Sequence, residues 1–103
     1  MREAYVFRDW QIRPDMLEAL DRYVTKGYQP GGFLTAVLAH DLMEACKRAD
    51  DWNLPNLPAY AAYLYNELPG NCHGSYEIVA HWVQHKATQA LGKEELNETE
   101  TTP

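Results

Sequence analysis

Positive charge is scarce in this chain. Nine Lys and Arg stand against fifteen Asp and Glu in 103 residues, a formal net charge of -6, and no basic run occurs. Sequence-independent binding to phosphate backbones needs clustered cations, so direct nucleic-acid binding is disfavoured. Cysteine is scarce too: Cys46 and Cys72 fit neither a disulfide framework nor a zinc ribbon. No apolar run approaches the ~20 residues needed to cross a bilayer, so no membrane partner is expected. The N-terminus lacks the apolar block of a signal peptide, which makes a reducing cytoplasm the expected setting. A phosphate loop, a dinucleotide fingerprint and a nucleophile elbow are all missing.

Apolar and aromatic residues are plentiful by contrast. Hydrophobic content is 46%, with three Trp, seven Tyr and two Phe, enough for one domain with a modest core. The segment after Gly92 carries four Glu against one Lys, which is -3 of the total and leaves -3 for the body. That segment, residues 93–103, has little to bury and reads as a flexible acidic tail.

The stretch from Tyr28 to Ala49 organises the rest. It opens on the turn signal Gln29-Pro30-Gly31-Gly32 and continues as an unbroken helical pattern to about Asp50-Asp51. Leu34, Leu38, Leu42, Ala45 and Ala49 form one apolar stripe, widened by Ala39 and Cys46. Phe33 and Val37 fall outside the stripe, on the side that carries His40 and Glu44, so this central helix is apolar on a second side. Glu44 and Arg48 are spaced for an i,i+4 ion pair. Gly31 and Gly32 leave bare N–H groups at a helix start, an arrangement suited to anions and common as plain punctuation.

Before that stretch, residues 4–12 are rich in strand formers and read as an extended arm. Tyr5, Phe7 and Asp9 would face one side, and Val6, Arg8, Trp10 and Ile12 the other. Such a strand must lie over the helices or pair with the same segment of a second chain. Pro14 opens a helix striped by Leu17, Leu20 and Val24, with Met16 and Tyr23 beside them, ending at Lys26-Gly27. A third helix is expected from about Leu57 to Asn66, capped by Asn56. After the loop PGNCHGS (69–75), Ser75 caps a fourth helix that buries Ile78, Val79, Trp82, Val83 and Ala90 and closes at Gly92. The expected fold is therefore all-α: an N-terminal arm (1–13), a compact four-helix domain (14–92) and the disordered tail (93–103).

Chemistry is thinly represented. His81 and His85 share a helix face at the spacing of two metal ligands, with Cys72 and His73 in the preceding loop, but HxxxH without a third ligand is a weak signal and no metal is expected. Cys46, on the apolar side, reads as an inert core thiol. Asp41 reads as an acid held by Arg48, Arg22 or a tyrosine hydroxyl. With no nucleophile–base pair at a plausible spacing, no catalytic residue and no cofactor are expected.

The run PGGFLTAVLAHDLMEA, then RADDWN, then YLYNELPGNCHGS and a helix containing Trp82 resembles a family of small phage and prophage proteins. The match covers about residues 14–86. It implies a setting, the cytoplasm of a bacterial host, and no catalytic residues to carry over. Small phage proteins often disable a host defence by occupying a surface or by sequestering a signalling molecule, an argument by association.

Two functions follow. In the first, a non-enzymatic homo-oligomer sequesters a nucleotide-derived immune signal. Its phosphate would sit near Gly31 and Gly32, with Arg22, Lys26 or Arg48 supplying charge and Tyr28, Phe33, Tyr63 and Tyr65 stacking a base. His73, Gly74 and Ser75, in the second glycine-bearing loop, would complete the site if the two helix starts converge. In the second, the chain is a protein-binding inhibitor or adaptor that uses Phe33, Val37 and the tyrosine-rich third helix as an apolar patch. Converging helix starts favour the first, and an apolar face the second.

Overall fold

The structure, a computed structural model, describes the backbone of residues 3–101 and the side chains of residues 3–91. It corrects the expected four-helix, all-α arrangement: the described residues form five α-helices, a short 3-10 turn and a two-stranded antiparallel hairpin.

The hairpin replaces the expected single strand. β1 (Tyr5–Phe7) pairs with β2 (Trp10–Ile12) in the register Tyr5↔Ile12, Val6↔Gln11 and Phe7↔Trp10. The two-residue turn Arg8-Asp9 reverses the chain, with Arg8 at φ 55°. Cross-strand partners share a face, so Tyr5, Phe7, Trp10 and Ile12 all turn inward, while Val6 and Gln11 stay exposed. In one continuous strand Tyr5 and Phe7 would have opposed Trp10 and Ile12. The turn brings the four to one side and lets them all pack.

α1 (Pro14–Lys26) buries Leu17, Leu20 and Tyr23. It ends at Gly27, whose φ of 72° and position against the Lys86 side chain both require glycine, because an added Cβ would lie 2.4 Å from Lys86 Cβ.

The expected long central helix is two short ones. α2 (Gly32–Leu38) and α3 (Leu42–Arg48) meet at an elbow, Ala39-His40-Asp41, where His40 adopts φ 60°. The Asp41 carboxylate accepts the Glu44 N–H at 3.2 Å and starts α3 afresh. Asp-x-x-Glu is a helix-start signature, and here it overrides the continuous apolar spacing. The elbow turns the second half of the stripe away from the core. Ala45 stays buried, but Leu42 is 64% and Met43 81% exposed, and Cys46, expected in the core, is exposed.

A 3-10 turn (Leu54–Asn56) leads into α4 (Leu57–Glu67), which buries Ala59, Tyr60, Ala62, Tyr63 and Leu64. Asn56 occupies the N-cap position of α4 without a side-chain cap bond. Its Oδ1 instead accepts the Gln11 N–H at 2.8 Å and pins the hairpin. Tyr5 packs edge-on to Tyr63 with ring centroids 4.9 Å apart.

α5 (Tyr76–Thr101) starts where expected, with Ser75 Oγ accepting the Ile78 N–H at 3.1 Å. It runs on through Gly92, where its end was expected. The side chains of the anticipated acidic tail, 93–103, lie outside the described residues. Val79 and Trp82 are buried, whereas Ile78 and Ala90, expected to be buried, are exposed. α5 packs on α1 and α2, and α4 on the hairpin and α2. The core therefore lies where α1, α2, α4, α5 and the hairpin meet, with α3 projecting from its edge. No helix among the described residues is long and apolar enough to cross a membrane.

Candidate binding groove

The elbow between α2 and α3 is the junction of two surface depressions. On one side α4 faces the elbow across an apolar groove of about 300 Å³, lined by Val37, Leu42, Ala45, Ala61, Leu64 and Tyr65 among others, with His40 and His73 among its lining residues. On the other side Gln29, Gly32, Thr35, Glu44, Arg48 and Tyr76 surround a polar pocket of about 400 Å³. Asp41 lines both.

The groove exists because α4 has more apolar surface than the core can take. Tyr60 and Leu64 turn inward, while Ala61 and Tyr65 remain outside, Tyr65 at 87% exposure. α3 is displaced by the elbow and presents Leu42 and Met43 to solvent instead of covering that surface. Exposed apolar residues gathered around a concavity mark a place where something else can bury area.

The polar groups of the elbow are engaged with one another. Tyr76 donates its O–H to Asp41 Oδ2 at 2.7 Å. That bond, with the Glu44 amide, holds the Asp41 carboxyl below its ordinary range, and the same partner raises the Tyr76 phenol. Arg48 Nε meets Glu44 Oε1 at 2.7 Å. His40 Nε2 and His73 Nδ1 are 2.7 Å apart. Burial first, and then the neighbouring His40, lower the His73 pKa.

Beneath the elbow the loop 69–75 is anchored to the core. Tyr23 donates its hydroxyl to the Cys72 carbonyl at 2.7 Å, and the Gly74 N–H reaches the Leu38 carbonyl at 2.8 Å. Gly74 holds a φ of 141°, a conformation that side chains rarely adopt. Burial pushes the Cys72 thiol up to about 11, which keeps it protonated and unreactive at neutral pH.

The structure brings some of the sequence-selected residues together and scatters the rest. Gly32 and Arg48 share the polar pocket, where an added Cβ on Gly32 would lie 2.8 Å from Arg48 Nη1. Gly31 is exposed, with open space around it. Phe33 is half-buried edge-on to Tyr60, and Tyr63 is in the core. Tyr28 is exposed beneath the Lys26 ammonium, 5.8 Å from its ring centre, and Arg22 is exposed on α1. The four aromatic residues suggested for stacking therefore form no common cage. Tyr65 and His73 line the apolar groove, while Gly74 and Ser75 are committed to the backbone bond and the helix cap described above.

His40, Asp41, Leu42 and Tyr76 were not among the site residues selected from sequence. The Asp41-x-x-Glu44 signature held the signal for three of them, since a helix break there places His40 and Leu42 at the surface. Tyr76 meets Asp41 across 35 positions, and no local pattern announces that. His81 and His85 stack with ring centroids 6.3 Å apart on exposed α5. Among the described residues no group of three or more His, Cys, Asp or Glu is placed to hold a metal ion. Comparison of the chain with models of known protein families, with curated proteins and with solved structures finds no match.

Proposed function

We propose that this chain is a non-enzymatic binding protein that takes an apolar segment of a protein partner into the groove between the elbow and α4. The observation that carries the reading is the groove itself, apolar in its lining, with the exposed Leu42 and Tyr65 among its lining residues. A shallow apolar cleft with exposed aromatic and leucine anchors suits an amphipathic helix or a short apolar peptide. The elbow's acids and bases are paired with one another, an arrangement suited to holding shape more than to moving protons. The resemblance to small phage and prophage proteins supplies the setting: inhibition or redirection of a host or phage protein in the host cytoplasm.

Sequestration of a nucleotide-derived signal takes second place. One observation favours it: Gly32 at the start of α2, Tyr76 at the start of α5, and Arg48 line the same polar pocket. Against it, Asp41 and Glu44 line that pocket too, and Arg48 is already paired with Glu44. Two carboxylates repel a phosphate more strongly than one paired guanidinium attracts it.

A photo-crosslinking residue in place of Tyr65 tests the first reading in cells of the host. Capture of one protein, abolished by filling the groove with Ala61→Phe, supports it. Capture unaffected by Ala61→Phe sinks it. Native mass spectrometry with cyclic nucleotides and ADP-ribose derivatives tests the second: a discrete mass gain, lost in Gly32→Asp, would reverse the order of the two readings. The same spectra count subunits and so test the homo-oligomer expectation.

A further inference from the structure

Two histidines 33 positions apart meet at the apolar groove, and the function proposed above makes no use of their contact. His40 stands on the elbow in the left-handed region, and His73 on the loop anchored beneath it. The Leu64 carbonyl beside the His73 ring favours its charged form, against the burial and the neighbouring His40 that lower its pKa. His40 Nε2 faces His73 Nδ1, and in the neutral pair one of these nitrogens carries the proton and the other accepts it, as the tautomers set. A hydrogen bond of 2.7 Å needs one donor and one acceptor. The first proton taken up by the pair strengthens it, because the bond becomes charge-assisted. The second consumes the only acceptor and sets two N–H groups of two cations face to face.

We propose that the His40–His73 pair is a proton-operated latch on the apolar groove, closed while the pair holds at most one extra proton and open when both rings are protonated. Opening separates the elbow from the His73–Gly74 end of the loop. Cys72 stays fixed, because its carbonyl is held from the dry side by the Tyr23 hydroxyl. The loop therefore pivots rather than detaches, and the groove lined by both histidines widens.

The other titratable groups around the pair do not relieve the conflict. From the elbow comes Asp41, which is already bonded to Tyr76 and to the α3 amide. Glu44 and Arg48, on α3 beyond it, are paired with each other. From α4 come the phenols of Tyr60 and Tyr65, and from the loop the Cys72 thiol, all neutral in the acid range. One carboxylate beside two imidazolium rings leaves the doubly protonated junction positive. Burial of His73 acts in the same direction as the neighbouring charge, against the second proton.

The latch does not depend on what the groove binds, and the full chain alone tests it. Ring-nitrogen NMR from pH 8 to pH 5 should show His40 and His73 titrating as a coupled pair, in two steps separated by about one unit or more. Across the second step the Gly74 amide, bonded to the Leu38 carbonyl, should lose protection from hydrogen exchange by about tenfold, the factor that one unit of coupling supplies. The Trp82 indole N–H, bonded to the Tyr23 carbonyl, should keep its protection. His40→Asn, which tolerates the left-handed elbow, should leave His73 with a single step at higher pH and Gly74 protection independent of that step. Independent single-site titration of the two rings overturns the latch. So does loss of Trp82 protection in step with Gly74, which would mark global unfolding, or an unchanged Gly74 response in His40→Asn.

Discussion

The same bond length carries different consequences at two junctions of this molecule. At the dry junction Tyr23 binds the Cys72 carbonyl at 2.7 Å, Tyr60 binds Asn53 at 2.7 Å and the Trp82 indole reaches the Tyr23 carbonyl at 3.0 Å. At the wet junction Tyr76 binds Asp41, Arg48 binds Glu44 and His40 meets His73, each at 2.7 Å. The first set is buried and the second is exposed. Water can replace a lost partner at the wet junction and cannot reach the dry one, where a group left alone keeps its full desolvation penalty. Breaking the dry junction should therefore cost stability. Breaking the wet one should change pH response and surface shape.

Trp82→Ala should show the contrast most strongly, because it removes a large packed ring and one buried donor together. The loss expected in denaturant unfolding is about 3–5 kcal/mol. Tyr23→Phe is more selective, deleting one oxygen and leaving the Cys72 carbonyl unpaired, for about 1–3 kcal/mol by the same measurement. A loss near zero for Tyr23→Phe would mean that water enters beneath the loop and that the two junctions do not differ as described. Ser75→Ala lies between the sets: it removes the cap of α5 and should cost about 0.5–2 kcal/mol.

The smallest effects belong to the wet junction, and pH reveals them. Asp41 titrates below its ordinary value in the folded chain, so its contribution is fully present above the unfolded value near ~4 and fades as pH falls through the folded one. Tyr76→Phe should remove part of that acid-limb dependence while changing neutral-pH stability less than any dry-junction variant. His73 works in a different window. Its folded pKa is lowered, so the unfolded chain binds more protons and the contribution of neutral His73 is lost as pH falls below about 6.5. In His73→Gln the stability-against-pH profile between pH ~7 and ~5 should be flatter than in the parent. An identical slope would remove the histidine pair from the comparison.

Two other histidines show why the pair that matters was hard to read. His81 and His85 are four apart, so any helical wheel places them together, and they remain on an exposed face. His40 and His73 have no spacing in common. They meet because α2 stops at Leu38 and the loop 69–75, between α4 and α5, docks on its end, with the Gly74 N–H on the Leu38 carbonyl. The stacking aromatics fail for a related reason. Tyr63 and Phe33 find Tyr5 and Tyr60 as ring partners within the fold, which buries Tyr63 and half-buries Phe33. Aromatic content signals burial or binding equally well until neighbours across the chain are known.

Local chemistry alone determined the first helix and its glycine end, the cap at Ser75 and the Glu44–Arg48 pair. In each case partners lie within one or two helical turns, or one residue type alone meets the backbone need. The hairpin and the elbow were also written locally, as the 2-3-2 spacing of Tyr5, Phe7, Trp10 and Ile12 and as Asp41-x-x-Glu44. Both were masked by a stronger competing period, the strand alternation in one and the continuous apolar stripe in the other. Only the tertiary structure decided the groove, the histidine contact and the Tyr76–Asp41 bond. Each joins positions more than 30 residues apart or depends on where α3 was displaced, and no local period records the return of the chain to the same place.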